Sequence, residues 1–364
     1  MSDYFSNFAH LKRKTYLKIM NKLTDLSEIG EFGLIERLNK NTVIKNSSTI
    51  FGIGDDCAGL TYDGKVVLLS TDAMAEGVHF DMVYTPLKHL GYKACVTNFS
   101  DIYAMNGTPK QILISLSVSS KYSLEALEEL YEGIHIACEK YGVDIIGGDT
   151  TSSKGGMFIS ITVIGECEKE KVVKRSTAKP NDLICVSGDL GGAYAGLLVL
   201  QREKATFLAN PNSQPDLSQY DYVIQRQLKP EAGKQTIDLL REKGIQPTSM
   251  IDISDGLASE VLHICKASKT GCELYIEKIP IDYQTARTVE EFNILPETAA
   301  LNGGEDYELL FTIDQKDYEK IKDVENISIV GYIADESLGC KLVTPQNTTM
   351  ELKAQGFNHY KTQE

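Results

Sequence analysis

Short apolar runs rich in β-branched residues alternate with segments of helical period along this chain, and that alternation restricts the fold more than any other feature. The strand-like runs are VVLLS (66–70), ILISLSV (112–118), VDII (143–146) and MFISITVIG (157–165). Helical periodicity marks LKHLGYKACVTNFSDIYAM (87–105) and SLEALEELYEGIHIACEKY (123–141), which lie between them. The alternation resumes near KPNDLICVSG (179–188). We therefore expect an α/β (α+β) protein with mixed sheets.

The length of 364 residues allows two domains. We expect an N-terminal helical extension at 1–27, an N-terminal domain at 28–170 and a C-terminal α/β domain at 171–364. The polar stretch NPNSQPDLSQYDY (210–222) predicts a surface loop, because it is rich in Pro, Asn, Gln and Ser.

The charge of −14 argues against a nucleic-acid or anionic-membrane surface, since both require a basic stripe. No apolar run is long enough to span a membrane, and the N-terminal residues lack the apolar core of a secretion signal. The 8 cysteines form no C-x-x-C pair or zinc-ribbon spacing, so most are expected to be small buried apolar residues. These features predict a reduced, cytoplasmic protein.

Acidic residues recur beside Gly, Ser or Thr, near the ends of apolar runs. They are Asp55 and Asp56 in GIGDDC, Asp72 in STDAM, Asp101 in NFSDIY, Asp149 in IIGGDTT, Asp252 and Asp255 in MIDISDGL, and Glu305 and Asp306 in GGEDYELL. Each one alone is compatible with a turn or a helix cap. As a set they predict convergence at the mouth of a sheet, where binding sites are commonly built.

Such convergence would require either sharply raised carboxyl pKa values or cations in the site. Two like charges ~4 Å apart repel by roughly 4 kcal/mol at an effective dielectric constant of 20. Carboxylates without a Cys or His cluster select hard ions such as Mg²⁺ over zinc. An acidic protein can hold polyphosphate through several Mg²⁺ ions.

The common catalytic motifs are absent from the sequence. There is no G-x-x-x-x-G-K-[ST], no protein-kinase H-R-D or D-F-G set, no G-x-G-x-x-G, no H-E-x-x-H and no G-x-S-x-G. A Walker-type nucleotide site, a covalent nucleophile and a zinc hydrolase are therefore disfavoured.

Taken in order, several segments resemble the thiamine-monophosphate kinase family, and the resemblance runs from about residue 30 to residue 360. The segments are GIGDDCA, STDAMAEGVHF, NFSDIYAMNGTPK, IIGGDTT, KRSTAKPND, VSGDLGGAYAGL, IDISDGL, GGEDYELLFT and GFNHY. The broader group includes aminoimidazole ribonucleotide synthetase and other enzymes that use ATP without a Walker loop.

The resemblance implies direct in-line transfer of the γ-phosphoryl group of ATP to thiamine monophosphate, which gives thiamine diphosphate in the last step of its biosynthesis. Because the acceptor phosphate is already an anion, catalysis reduces to alignment and charge neutralisation by several Mg²⁺ ions. It also implies the two-domain fold of aminoimidazole ribonucleotide synthetase, in which the N-terminal sheet forms a β-barrel across a homodimer.

The family's site residues carry over by position. The implied metal ligands, direct or through water, are Asp56, Ser70, Thr71, Asp72, Asp101, Asp149, Asp252 and Asp255, and among these Asp56, Asp72, Asp101 and Asp255 are the catalytic set. The implied ATP-side residues are Tyr131, Gly148, Asp149, Arg175 and Ser254. The implied substrate contacts are His79, Glu305 and Phe357.

Structural roles are the alternative for several of these residues. His79 is otherwise a structural histidine, Phe357 and Tyr131 are packing residues, and Arg175 forms a surface ion pair. Asp56 is preferred over Asp55 as a direct ligand, and Asp55 would support the turn or a water-bridged contact. The chain departs from the family's R-S-G-A, since Thr177 stands at the glycine and tolerates positive φ poorly.

Two other functions stay open at this point. One is a related ATP-using synthetase that activates an amide oxygen. The other is a catalytically silent protein that binds metal or nucleotide on the same scaffold.

Overall fold

A six-stranded mixed sheet forms the first half of the folded chain. The computed structural model describes residues 49–355, apart from 52–53, 63 and 213–215. The strand order is β1-β2-β3-β6-β4-β5, with β4 and β5 parallel and the other pairs antiparallel. The strands are β1 (Thr49–Phe51), β2 (Ala58–Tyr62), β3 (Lys65–Ala75), β4 (Thr108–Val118), β5 (Asp144–Ser152) and β6 (Phe158–Glu168).

Two long helices accompany this sheet, α1 (Leu87–Ala104) and α2 (Leu124–Tyr141). They approach closely because glycines stand at their crossing: a Cβ on Gly91 would lie 2.0 Å from the Leu130 carbonyl oxygen. The predicted strands and both predicted helices are confirmed. β3 and β5 extend beyond the predicted runs, however, so Asp72 and Asp149 lie within strands rather than after them.

A seven-stranded sheet forms the second half, in the order β13-β12-β9-β11-β7-β10-β8. Its pairs are antiparallel except for β9 and β12. The strands are β7 (Leu183–Ser187), β8 (Ser249–Asp252), β9 (Thr270–Tyr275), β10 (Leu309–Ile313), β11 (Ile327–Asp335), β12 (Cys340–Val343) and β13 (Thr349–Glu351).

Helices connect the strands of the second sheet. They are α3 (Gly192–Ala209), α4 (Asp221–Leu228), α5 (Lys234–Glu242), α6 (Leu257–Ser268), α7 (Tyr283–Glu291), α8 (Pro296–Asn302) and α9 (Tyr318–Ile321). In the described parts of the predicted loop at 210–222, residues 210–212 are exposed and a 3₁₀ turn, Ser218–Tyr220, leads into α4.

One hydrophobic core cluster joins the two sheets. It runs from β3 and α1 residues such as Leu68 and Phe99 to Met250 and Phe311 in the second sheet. The described residues from 49 to 355 accordingly belong to one compact unit. The boundary near residue 170 stays a prediction, and the extension at 1–27 lies outside the described residues.

The first sheet is open within the described chain, since β1 and β5 are its two edges. The described residues therefore form no closed barrel, and the barrel across a dimer stays a prediction. No described helix combines the length and apolar character that crossing a membrane demands.

Candidate active site

Three aspartates from distant parts of the chain meet at one point. Asp56 lies in the turn between β1 and β2, Asp101 lies on α1, and Asp252 is the last residue of β8. One carboxylate oxygen from each falls within 4.8 Å of the other two. The convergence predicted from the sequence is therefore present for these three residues. Asp56 and Asp101 come from the part of the chain that forms the first sheet, and Asp252 comes from the second sheet.

Arg175 closes one side of this cluster. Its Nε donates to Asp56 Oδ2 at 2.8 Å and its terminal Nη2 donates to Asp56 Oδ1 at 2.7 Å. The Asp56 carboxylate is fully buried. The backbone N–H of Arg175 donates to Asp55 Oδ1 at 2.8 Å, so Asp55 anchors the arginine segment.

Two serine hydroxyl groups fix the backbone at Arg175. Ser249 and Ser268 both donate to the Arg175 carbonyl oxygen, at 2.9 and 2.8 Å. Arg175 itself belongs to a 3₁₀ turn, Arg175–Thr177, in which Thr177 has no positive φ. The threonine that replaces the family's glycine thus causes no backbone strain here.

Alternation along β3 decides which of its polar residues face the cluster. Ser70 Oγ donates to Asp101 Oδ2 at 2.5 Å, and the Asp72 backbone N–H donates to Asn98 Oδ1 at 3.0 Å. Because alternate strand residues share a face, Ser70 and Asp72 point to the α1 side. Thr71 points the other way, where its hydroxyl donates to the Ile161 carbonyl at 3.1 Å.

Crowding of the carboxylates changes their acidity. Burial raises the pKa of Asp101 well above its usual value, and the charges of Asp72, Asp252 and Asp56 raise it further. Burial together with the Asp56 charge raises the pKa of Asp252 to about 8. The cluster therefore holds protons or cations at neutral pH, as expected for like charges in a site of low dielectric.

A second acidic loop follows directly after Asp252. Glu260, on the first turn of α6, accepts from the backbone N–H groups of Ser254 (3.1 Å) and Asp255 (2.7 Å). Glu260 is buried, and burial with the Asp255 charge raises its pKa well above normal. This glutamate fixes the shape of the loop that carries Ser254 and Asp255.

Glu305 is tied to helix α1 through a buried lysine. Lys93 Nζ lies 3.0 Å from Glu305 Oε1, and only 6% of the lysine side chain is exposed. Gln227 Nε2 also donates to Glu305 Oε2 at 2.8 Å. The backbone at Glu305 has a φ of 59°, which a non-glycine residue adopts only when its surroundings hold it there.

His79 lies in the loop after β3. The backbone N–H of Ala75 donates to His79 Nδ1 at 3.1 Å, so the neutral ring carries its proton on Nε2. In the same loop, Glu76 accepts from the Tyr122 hydroxyl and from the N–H of Met157, the residue before β6, and these bonds hold the loop in place.

The remaining predicted residues lie outside the three-aspartate cluster. Asp149 and Gly148 are on the exposed edge strand β5, where Asp149 pairs with Ser115 of β4. Tyr131 is half-buried and packs against the hydrophobic core. Phe357 lies outside the described residues.

Three residues at the site were missed by the sequence reasoning, namely Asn98, Lys93 and Glu260. Asn98 precedes Asp101 by three positions on a predicted helix, a spacing that places both on one face. Lys93 is a charged residue in the helix α1, most of whose residues are buried, and a buried charge requires a partner. Glu260 is an acid in the first helical turn, where it satisfies free N–H groups.

This arrangement is suited to hard cations and anionic groups. The donor set near the cluster consists of carboxylate and hydroxyl oxygens, the ligands that Mg²⁺ takes. A guanidinium at the rim can recognise phosphate through two parallel hydrogen bonds.

Known proteins resemble the chain over almost all of its length. Residues 54–167 match the family described as AIR synthase related protein, N-terminal domain. Thiamine-monophosphate kinase of Bacillus subtilis (strain 168) is 36% identical over 340 residues, covering 92% of this chain and 100% of the relative. The enzyme of the same name from Aquifex aeolicus (strain VF5) is 36% identical over 306 residues, covering 84% and 92%.

A solved structure, "AaThiL complexed with AMPPCP and TMP", superposes with a TM-score of 0.78 at 32% identity and covers 93% of this chain and 99% of its own. The likeness thus extends to the fold of both sheets as well as to the sequence. With this identity and coverage, the chain belongs to the thiamine-monophosphate kinase family.

Proposed function

We propose that this protein transfers the γ-phosphoryl group of ATP to thiamine monophosphate and forms thiamine diphosphate. The observation that carries the proposal is the meeting of Asp56, Asp101 and Asp252 within 4.8 Å. Family membership supports it, as does a relative whose structure is described as a complex with AMPPCP and TMP.

Magnesium fits the chemistry of the cluster. The oxygen donor set matches Mg²⁺, and the raised pKa values of Asp101 and Asp252 reflect repulsion that a cation would relieve. We propose that Asp56, Asp72, Asp101, Asp252 and Asp255, with the Ser70 hydroxyl, hold several Mg²⁺ ions. When bound, these ions would neutralise phosphate oxygens and orient them.

The protein's own groups align the two phosphates. Arg175 donates to both oxygens of Asp56. We propose that Asp56 would hold a cation in place of the guanidinium, and that Arg175 would then bind the ATP phosphates. Asp101 stays oriented through Ser70. The acceptor is anionic, so the transfer needs no general base.

We further propose the peripheral contacts implied by the family. Gly148, Asp149, Tyr131 and Ser254 would lie on the ATP side, and Thr71 would contribute with Asp149 to metal binding. His79, Glu305 and Phe357 would contact thiamine monophosphate. The left-handed backbone at Glu305 and its buried lysine partner support a fixed position for that carboxylate.

Assembly and location are part of the same proposal. We propose a cytoplasmic homodimer in which the open edge and exposed face of the first sheet pair with a second copy. The domains would divide near residue 170. Exposed apolar side chains on this sheet support the pairing, with Leu113 37%, Ile146 54% and Phe158 45% exposed.

A coupled assay tests the activity. The purified chain with ATP, Mg²⁺ and thiamine monophosphate should produce thiamine diphosphate in step with ADP. Binding of Mg²⁺–ATP with no product would identify the silent scaffold instead. ATP turnover only with an amide substrate would identify the related synthetase.

Asp72 provides the matched test of the metal site. Asp72→Asn should lower kcat by several orders of magnitude while the fold is retained, because one carboxylate among several cations is lost. Asp323→Asn, at an exposed aspartate far along the chain, should leave kcat unchanged. A near-normal kcat in Asp72→Asn would contradict the metal role.

A further inference from the structure

Three cysteines converge in the second sheet, on residues that the proposed kinase site does not use. Cys265 lies on α6, Cys272 on β9 and Cys340 on β12. Their three sulfur atoms all fall within 4.8 Å of one another. Cys265 and Cys272 are buried at 3% and 0% exposure, and Cys340 is half-buried.

The backbone places two of these thiols side by side. Cys340 and Cys272 are register partners on the parallel strands β12 and β9, so their side chains share a face. The residue before each is a glycine, and a Cβ on Gly271 would lie only 2.3 Å from the Gly339 carbonyl oxygen. That carbonyl accepts from the Cys272 N–H at 3.1 Å, so the close approach is also bonded.

A tight turn between α6 and β9 places the third thiol, Cys265, next to Cys272 and Cys340. α6 ends at Ser268, Lys269 adopts a left-handed backbone with a φ of 56°, and β9 begins at Thr270. The Lys269 N–H caps the Cys265 carbonyl. The reversal folds the last turn of α6 back over the strand, which positions Cys265 above Cys272.

We propose that Cys265, Cys272 and Cys340 bind one thiophilic d¹⁰ cation, Cu⁺ or Zn²⁺. Thiolates select these ions over the hard cations of the acidic site. Three metal–sulfur bonds of about 2.3 Å in a trigonal plane place the sulfurs about 4 Å apart, so small side-chain movements from the present spacing, within 4.8 Å, close the cluster on the ion. Each S–H releases its proton to solvent when its sulfur binds.

The three thiols can accommodate either Cu⁺ or Zn²⁺. Cu⁺ would be held by the three thiolates alone. Zn²⁺ prefers four ligands, and the half-buried Cys340 leaves a side from which a water molecule can bind. The bound ion would cross-link α6, β9 and β12, and α6 begins two residues after Asp255 in the acidic loop.

Two other described cysteines, Cys57 and Cys167, have different surroundings. Cys57 Sγ donates to the Asp101 carbonyl oxygen at 3.4 Å, and Cys167 Sγ donates to the Asn106 carbonyl oxygen at 3.3 Å. A single carbonyl partner satisfies each of these thiols. Among the described residues, only Cys265, Cys272 and Cys340 form a group of three thiols within 4.8 Å of one another.

The test uses the reduced, metal-free full chain with excess Mg²⁺, which occupies the acidic site. One equivalent of Zn²⁺ or Cu⁺ is added, the protein is desalted, and the retained metal is measured by mass spectrometry, with Co²⁺ as a spectroscopic probe of thiolate bonding. The expected result is one retained Zn²⁺ or Cu⁺ per chain and a thiolate-to-cobalt charge-transfer band.

Variants assign the site. Cys340→Ser and Cys265→Ser should each weaken retention by at least about 100-fold and remove the cobalt band. Cys340 is half-buried, so its variant should fold even if the core variant does not. Cys167→Ala, a cysteine outside the cluster, should retain metal like the wild type.

Three results would overturn the proposal. They are no thiophilic metal retained by the wild type, retention that Cys340→Ser leaves unchanged, and a Cys272–Cys340 disulfide that forms in air and is not prevented by prior addition of Zn²⁺ or Cu⁺. None of these readouts depends on kinase activity.

Discussion

Asp252→Asn is expected to stabilise the metal-free protein while removing a proposed ligand of the active site. Asp252 is 5% exposed, and burial with the Asp56 charge raises its pKa to about 8 in the folded state. An unfolded aspartate has a pKa near 3.8. At pH 7 this difference costs the folded state about 4 kcal/mol, since one pKa unit corresponds to about 1.4 kcal/mol.

The pH dependence follows from the sign of the shift. A carboxyl whose folded pKa is raised destabilises the fold above its unfolded pKa, and this cost falls as the pH decreases from 8 to 4. At pH 5 the cost is about 2 kcal/mol by the same relation. Asn keeps the size of the side chain without the charge, so the gain of the variant over the wild type should be at most about 4 kcal/mol at pH 7 and should shrink by about half at pH 5.

Urea denaturation with a chelator, at pH 7 and pH 5, measures the difference in unfolding free energy between Asp252→Asn and the wild type. Formation of thiamine diphosphate measures the loss of activity. The matched control is Asp182→Asn. Asp182 is 6% exposed and accepts hydrogen bonds from the Lys179 N–H and the Thr248 hydroxyl. The control should not stabilise the protein. An Asp252→Asn midpoint equal to or below that of the wild type at pH 7 would refute the account of the acidic cluster.

Three further outcomes are expected. Mg²⁺ with an ATP analogue should raise the Tm of the wild type, because the ligand binds only the folded state. The rise should be smaller in Asp101→Asn, which lacks one proposed metal ligand. An unchanged Tm at saturating ligand would argue against a shared acidic site. Lys93→Met should lower the free energy of unfolding by up to about 3 kcal/mol, because Glu305 loses its cation and keeps only the Gln227 hydrogen bond. Adding Glu305→Gln should recover part of this loss, and denaturation curves without recovery would contradict the ion pair. Glu260→Ala should lower the free energy of unfolding by about 2 kcal/mol, because two backbone N–H groups lose their acceptor. Glu260→Gln should keep a free energy of unfolding near that of the wild type. Equal losses in the two variants would contradict the hydrogen-bonding role and show that packing dominates.

Local patterns predicted much of the fold. Runs such as ILISLSV and the helical period around Asp101 are set by neighbouring residues, and the structure has a strand and a helix at these places. The strand ends were less predictable, because pairing with β6 carries β3 on to Ala75. Asp72 was therefore expected after a strand and lies within one.

The site was predicted in part. The acids and their order identified the family, and Asp56, Asp101 and Asp252 meet as expected. Thr71 and Asp149 have the same residue types and the same local setting, but they lie away from that cluster. The face that a strand residue occupies depends on the strand's register, which the surrounding sheet determines.

By itself, the sequence determined the alternation of strands and helices, the acidic chemistry and the family, because these are properties of residue types and short spacings. Only the tertiary structure decided which side chains meet. Cys272 and Cys340 are 68 positions apart in the chain, yet they are partners in register. Their proximity, like the ion pair of Arg175 with Asp56, arises from packing between elements, which no local pattern encodes.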